Sequence, residues 1–554
     1  MPKLTAAQSF VECLKIEGVQ FVFGVPGGQT LSIMDALYDV PEIRFVTVRH
    51  ECAAAHMADA YGRLTGHPGI ALATAGPGAT NLLTGVAGAL CDSSPAVIVT
   101  VNNRRRHIGL DDNQDADHVL LFKQFTKLSR FIPDPEGVPH AVREAFRVAL
   151  SGNPGPVHID FARDALEQGE VEFEPLPPKA YRATDRPQPP EASVQLALDR
   201  LLAAERPLIW VGRGVIVAEA GDVVMNLAQS LDIPVVTTFN GISAVPGNHP
   251  HVFGPHSRFG TRLTKALLAE ADCVMLVGAS LNATSTSRWT LSLPQNLVHI
   301  DIDPAMIGRH YPVSAAVVGD ARAAIEMMSS SLPRSDTSAK AKARTLWLEM
   351  AKAWQQTWYK VAFPAELAEA QPIKPQRVMQ VVRDVLADDV IVVVDAGNPG
   401  IWSHLLPVPR IRGYMKPVGF GNMGFGLPAG IAVKLARPTD KVLVLVGDGS
   451  LGMSLAEIET AVREKTPMAI IVLNDRAYGN IKQEEAHYYG PRYIGVDFTD
   501  VRYADTAKSM GADGERIEDP RTLPDALARA LASTMPYLLD VPIDTTDNVW
   551  EEPF

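Results

Sequence analysis

Residues 442–479 read VLVLVGDGSLGMSLAEIETAVREKTPMAIIVLNDRAYG. Two apolar runs each deliver an acid: Asp448 inside a Gly-Asp-Gly-Ser turn, and Asp475 directly after Asn474. The turn leads into a helical pattern in which Leu455, Ile458 and Val462 share one face. A helix start with small residues and free N–H groups suits a phosphate. An acid in the same turn would repel that phosphate unless a cation sits between them. Mg²⁺ does this, taking oxygen ligands at about 2.1 Å and bridging protein carboxylates to a diphosphate. In a parallel sheet both strand ends lie on one edge, so Asp448 and Asp475 are expected to meet a single ion. The simpler alternative, an acidic turn plus an N-capping Asp, stays open at this point.

Other glycine signals are weaker. GFGNMG at 419–424 has the G-x-G-x-x-G spacing of a dinucleotide fingerprint, but RIRGYMKPV before it, broken by Gly and Pro, is a poor first strand. A nicotinamide-dependent oxidoreductase is thus an alternative from another class. GRG at 212–214 follows the run PLIWV and is a fainter signal still. There is no G-x-x-x-x-G-K-S/T run, so no P-loop is expected. His50-Glu51 stands at a strand-to-helix junction, where Glu51 alone could be a first-turn anion.

The elements that must position these residues are short apolar runs alternating with helical patterns: FVFGV, GIALATA and AVIVTV, then PLIWVG, PVVTTF and CVMLVG, then VIVVVDAG and KVLVLVGDG. Near-continuous apolar strands between amphipathic helices predict α/β architecture, with mainly parallel sheets covered on both faces. A chain of 554 residues is too long for one core. Pro- and charge-rich stretches at 166–192 and about 330–345 divide it into three doubly wound domains at 1–170, 190–330 and 365–554. TAGPGATN and LVGDGS form a loose echo between the first and third blocks. A net charge of -12 argues against nucleic acid or an anionic membrane as partner. Four scattered cysteines suit a reducing cytoplasm, and no apolar run reaches the length of a membrane span.

GDG followed 26–27 residues later by Asn-Asp resembles the thiamine diphosphate motif of the 2-oxoacid decarboxylase and acetolactate synthase superfamily. VRHECAAAHMADAYGRLTG (48–66), ATAGPGATN (73–81), PGPVHIDF (154–161), HIDIDPAMIG (299–308) and GNMGFGLPAGIA (421–432) fit in order, across essentially the whole chain. The resemblance implies a pyrimidine-binding domain, a central domain and a diphosphate-binding domain. It also implies roles. Glu51 would hydrogen-bond the aminopyrimidine N1′ and promote its imino tautomer. Met423 would prop the cofactor into a V shape, with the Gly421 carbonyl near the 4′-amine. Asp448 and Asp475 would bind Mg²⁺ through their side chains and Ala477 through its backbone carbonyl. Gly397, Asn398, Gly449, Ser450, Leu451 and Ile481 would touch the cofactor, and Gly76 and Asn81 would lie beneath its pyrimidine.

Substrate choice would fall to Gln29, Gln114, Asn480 and Glu484, facing the thiazolium. Acetolactate synthases carry tryptophan where Glu484 stands and phenylalanine where Asn113 stands, so this pocket is more polar than theirs. The resemblance implies a carboligase or decarboxylase of 2-oxo acids. The alternatives are a 2-hydroxyacyl-CoA lyase and a benzaldehyde lyase-type enzyme, so the substrate is a 2-oxo acid, an aldehyde or an acyl-CoA. Active sites between subunits imply a homodimer or homotetramer. FAD or ADP in the central domain is left open, because HIDIDPAMIG is kept while Leu281-Asn282-Ala283 replaces the usual Arg-Phe-Asp.

Overall fold

A computed structural model describes residues 3–332 and 338–550. It contains three six-stranded sheets in which every pairing is parallel. In the first, the strands lie in the order Arg44–Thr47, Phe21–Gly24, Gly69–Ala73, Ala96–Asn102, Pro156–Ala162, Ser129–Ile132. In the third, the order is Tyr414–Met415, Val390–Val394, Lys441–Gly447, Ala469–Asn474, Tyr537–Pro542, Asp513–Arg516. Numbered along the chain within each sheet, both read 2-1-3-4-6-5. The central sheet differs. It runs Val252–His256, Val235–Thr238, Pro207–Val211, Cys273–Val277, Leu297–Asp301, Ala315–Val318, which is 3-2-1-4-5-6. The echo between TAGPGATN and LVGDGS therefore has a topological basis: each turn follows the third strand of its own sheet.

The apolar runs form strands because their β-branched residues are buried on both faces. Gly69–Ala73, Ala96–Asn102, Cys273–Val277 and Val390–Val394 have no partly exposed member. The first and third domains share one core. The helix Glu51–Thr65 is buried along nearly its whole length and packs on Gly426–Ala436, so Ala54 and Met57 join Leu427 and Ile431 in one cluster. Small residues allow this approach: a Cβ at Gly85, on the neighbouring helix Pro77–Cys91, would lie 2.5 Å from Ala55 Cβ.

A buried ion cluster ties all three domains together. Arg63 donates to Asp59 at 2.7 and 2.5 Å, to Asp92 at 2.9 Å and to the Lys416 carbonyl at 2.7 Å. Asp92 also accepts from the N–H groups of Val418 and Gly419 and from the Asn240 amide. Removing one member of such a cluster strands a buried charge, at a cost of about 3–5 kcal/mol.

Both expected linkers are partly structured. Residues 170–172 form a strand that pairs antiparallel with Lys3–Thr5, closing the first domain on itself. Of the second linker, residues 333–337 lie outside the described residues. Residues 339–345 open the helix Ala339–Ala362, whose Trp347, Leu348 and Ala351 pack on Leu208 and Trp210 of the central sheet. Lysine- and alanine-rich composition read as linker because only one narrow stripe of that helix is apolar. Among the described residues no helix is long and apolar enough to cross a membrane.

Candidate active site

In a 2-1-3 strand order the chain leaves strands 1 and 3 in opposite directions, which opens a crevice beyond their carboxyl ends. In the third domain that crevice lies between Val390–Val394 and Lys441–Gly447. Gly397 (φ 85°) turns the chain into the helix Asn398–Trp402, and Gly447 caps the helix Asp448–Ser454. Strand Ala469–Asn474 pairs with Gly447 opposite Leu473, so Asp448 and Asp475 emerge on the same edge. Asp448 is buried, Asp475 half-buried, and their carboxyls meet within hydrogen-bonding reach. Burial pushes both acids above the ordinary carboxylate range, and the charge of Asp448 pushes Asp475 up further. Besides each other, their partners are backbone N–H groups, such as Ala477 N–H to Asp475 at 3.2 Å. Two facing carboxylates with only weak dipoles to satisfy them fit a divalent cation. Among the described residues no cluster of three or more His, Cys, Asp or Glu could hold a metal. An ion here would therefore draw its other ligands from backbone carbonyls, such as that of the buried Ala477, and from a bound anion.

The surroundings are shaped to this pair. A Cβ at Gly479 would lie 1.7 Å from Asp475 Oδ2, so only glycine lets the carboxylate lie there. Asn398 is the hub beside it: its Oδ1 accepts from Asn480 at 2.9 Å and its amide donates to Gln483 at 3.2 Å. Gly449 packs under Tyr478, and Ser450 and Leu451 are buried in the first turn after the acid. Ile481 is about half exposed.

The first domain repeats the crevice with different chemistry. Strand Phe21–Gly24 leads to Gln29, and Gly69–Ala73 leads to Gly76. Gln29 is buried with both amide ends occupied: it accepts from Thr74 at 2.5 Å and donates to Asn103 at 3.2 Å. Asn103 in turn donates to the Asn113 carbonyl at 2.9 Å, next to Gln114. Gly76 has φ 57°, and a Cβ on it would meet Gln114 O at 2.8 Å. Glu51 is the first residue of its helix, 9% exposed, and accepts from Asn81 at 2.9 Å. Gln29, Glu51, Gly76, Asn81 and Gln114 are thus brought into one neighbourhood.

Gly421 is exposed with φ 70°, and Met423 is half-buried. Asn422 between them turns inward to His56. GFGNMG follows the short edge strand Tyr414–Met415 and not the first strand of a sheet, so its context is not that of a dinucleotide fingerprint. Asn480 points to Asn398, and Glu484, one helical turn on, is half-buried. Among the described residues no hydrogen bond joins the Glu51 group to the Asp448 group.

The central domain has a third crevice, at the switch point of its 3-2-1-4-5-6 sheet. A cavity of about 510 Å³ there is lined by Arg213, Asn240, Asn282, Trp289, Asp301 and Val418, among others. Burial raises Asp301 to about 6. The sequence had offered GRG at 212–214 as its faintest glycine signal, yet it opens this cavity. The signal lay in its position after the first strand of a new sheet. His118 and Gln483, which hold Gly76 and Asn398, escaped notice because their partners lie 42 and 85 residues away.

Comparison with known proteins agrees with this geometry. Residues 4–122, 194–328 and 395–541 match, in turn, the N-terminal TPP binding, central and C-terminal TPP binding domains of the thiamine pyrophosphate enzymes. A probable acetolactate synthase large subunit of Methanocaldococcus jannaschii is 34% identical over 98% of this chain and 93% of its own length. The acetolactate synthase large subunit of Parasynechococcus marenigrum is 35% identical over 99% and 89%. The isozyme 3 large subunit of Escherichia coli is 32% identical over 99% and 96%. This chain belongs to the thiamine diphosphate-dependent enzymes, in the group that resembles acetolactate synthases.

Proposed function

We propose that the chain is a carboligase or decarboxylase of 2-oxo acids whose thiamine diphosphate is anchored through Mg²⁺ on Asp448, Asp475 and the Ala477 carbonyl. The observation that carries this is the facing pair of acids, buried Asp448 and half-buried Asp475, at a helix start beside Asn398 and Gly479. When bound, the cofactor supplies a carbon nucleophile for a carbonyl and a sink for the electrons of the broken C–C bond. The chain's own part is to hold and to exchange protons. Glu51, fixed by Asn81, offers a carboxyl to the pyrimidine N1′. Gly397, Asn398, Gly449, Ser450 and Leu451 frame the diphosphate, with Ile481 at the rim, and Gly421 and Met423 set the bend. Gln29, Gln114, Asn480 and Glu484 face the substrate.

In this reading the Glu51 group of one subunit and the Asp448 group of another complete the site, in a homodimer or a dimer of dimers. Exposed Ile481, Met453, Phe420 and Ile494 supply apolar surface for that contact. The 510 Å³ central cavity suits a nucleotide such as FAD or ADP, with Arg213 available to an anionic group. Its mouth reaches Val418 and Gly419, two residues before Gly421. The four unpaired cysteines support a cytoplasmic setting.

One observation favours a second reading, a 2-hydroxyacyl-CoA or benzaldehyde lyase: a half-buried carboxylate, Glu484, stands where the family resemblance implies an aromatic side chain. Turnover with pyruvate, benzoylformate, benzoin, and formyl-CoA plus an aldehyde separates the two. Reaction of 2-oxo acids dependent on thiamine diphosphate and Mg²⁺ is expected; reaction of the CoA thioester alone defeats the first reading.

A further inference from the structure

The first sheet carries a polar chain through its otherwise apolar core. Thr100, Asn102, His118, His158 and Asp160 are each at most 3% exposed. Such a set is costly in a low-dielectric layer unless every group is paired. Asp160 faces Thr100 across the parallel pair Ala96–Asn102 and Pro156–Ala162. Its carboxylate receives three bonds: Thr100 Oγ1 at 2.6 Å, Asn102 Nδ2 at 2.9 Å and His118 Nδ1 at 2.9 Å. Thr100 also meets His158 at 2.8 Å, and His158 meets Ser129 at 2.8 Å. The chain's other end leaves the core. The Gly76 N–H donates to His118 Nε2 at 3.0 Å.

These contacts define the state of the ring. A carboxylate only accepts, so His118 Nδ1 carries the proton given to Asp160. A backbone N–H only donates, so Nε2 must present its lone pair to Gly76. The pattern admits one tautomer, neutral and protonated at Nδ1. Gly76 itself adopts φ 57° and ψ −108°, and its bare Cα packs on Gln114. The turn is thus gripped from two sides, by His118 through its N–H and by the Gln114 backbone where a side chain would stand. Asn102 adds a longer bond to the Ala116 carbonyl, tying the 114–118 segment to the same network.

We infer that His118, oriented by Asp160, is the positioning residue for the Gly76 turn beneath the cofactor's pyrimidine, and through that turn for Gln114, which faces the thiazolium. This rests on the reading of Gly76 and Gln114 given above. Neither His118 nor Asp160 touches cofactor or substrate in that reading. They hold the N–H end of a turn whose carbonyl is already tied into the following helix by Thr80 N–H at 3.0 Å.

The test compares His118→Leu with His118→Gln in the full-length chain saturated with Mg²⁺. A glutamine offers both a donor for Asp160 and an acceptor for Gly76; leucine offers neither. For H118L, kcat is expected to fall about tenfold or more, the range seen when outer-shell supports are removed. Its thiamine diphosphate Kd, measured by fluorescence titration, is expected to move much less, and the near-ultraviolet circular dichroism of the bound cofactor to change. H118Q is expected to stay within about threefold of the parent in kcat and to restore the dichroism, since it keeps both hydrogen bonds. A folded H118L that matches the parent overturns the inference, and so does a folded H118Q as slow as H118L. Should H118L not fold, the isosteric Asp160→Asn serves: lowered kcat with kept affinity supports the inference, and parental kcat overturns it. Failure of the parent chain to bind thiamine diphosphate instead overturns the underlying reading of the site, and the inference with it.

Discussion

The first and third domains share one strand order and one crevice position, yet line that crevice with opposite chemistry. The third places two acids there, Asp448 and Asp475, both raised by burial and the second raised further by the charge of the first. The first places amides, a hydroxyl and bare glycine there, with every polar end of Gln29 already paired. A fold that presents strand ends and helix starts at a switch point does not decide what binds. In the proposed reading the acidic crevice takes a cation and, through it, an anionic group. The neutral crevice suits a flat heteroaromatic ring read by hydrogen bonds, with Glu51 held at its edge by Asn81. One cofactor with a diphosphate end and a pyrimidine end would use both.

The comparison breaks most sharply at Asp448. Asp448→Ala removes one of the two proposed side-chain ligands, so no measurable turnover is expected, and Mg²⁺ should no longer tighten thiamine diphosphate in titrations. Retained Mg²⁺ dependence would remove the ion from this crevice. Glu51→Gln probes the other crevice. It should lower kcat by roughly a hundredfold or more, as loss of a proton-transfer group does, while cofactor affinity stays within a few fold. Unchanged activity would sink the assignment. Gly479→Ala is subtler. Its new Cβ would collide with Asp475 Oδ2, so Mg²⁺ affinity should weaken by about 10–100-fold, with recovery of activity at high Mg²⁺.

The contrast also shows what the chain makes legible. Both glycine turns, the strands before them and the acids at their ends are local features, and each reads directly from a few neighbouring residues. Parallel sheets were legible because buried strands are apolar throughout. The shared 2-1-3-4-6-5 order was visible only as an echo, because strand order depends on pairings between residues tens of positions apart. Distance in sequence also hid the supports: His118 beneath Gly76, Gln483 beside Asn398, and Asp92 joining three domains. Asn480 was expected to face substrate, and its amide is given to Asn398, a partner that no local pattern could name. The helix Ala339–Ala362 was missed at its start because a lysine-rich solvent face reads like a linker.

The smallest expected effect separates the crevices without any catalysis, through the stability of the metal-free protein. Carboxylates raised in the folded state hold protons that the unfolded chain has already released. Their share of stability is therefore full at acid pH and is lost as pH rises above the ordinary carboxylate range. Metal-free protein should show a falling Tm along that rise, and added Mg²⁺ with thiamine diphosphate should restore it, since a ligand of the folded state alone stabilises it. Asp475→Asn removes the repulsion and should flatten the metal-free curve. Gln29→Leu in the neutral crevice should leave its slope unchanged, because no titrating pair is lost there. A metal-free curve as flat in the parent as in D475N would mean that the two acids do not oppose each other, and the case for a cation between them would fail.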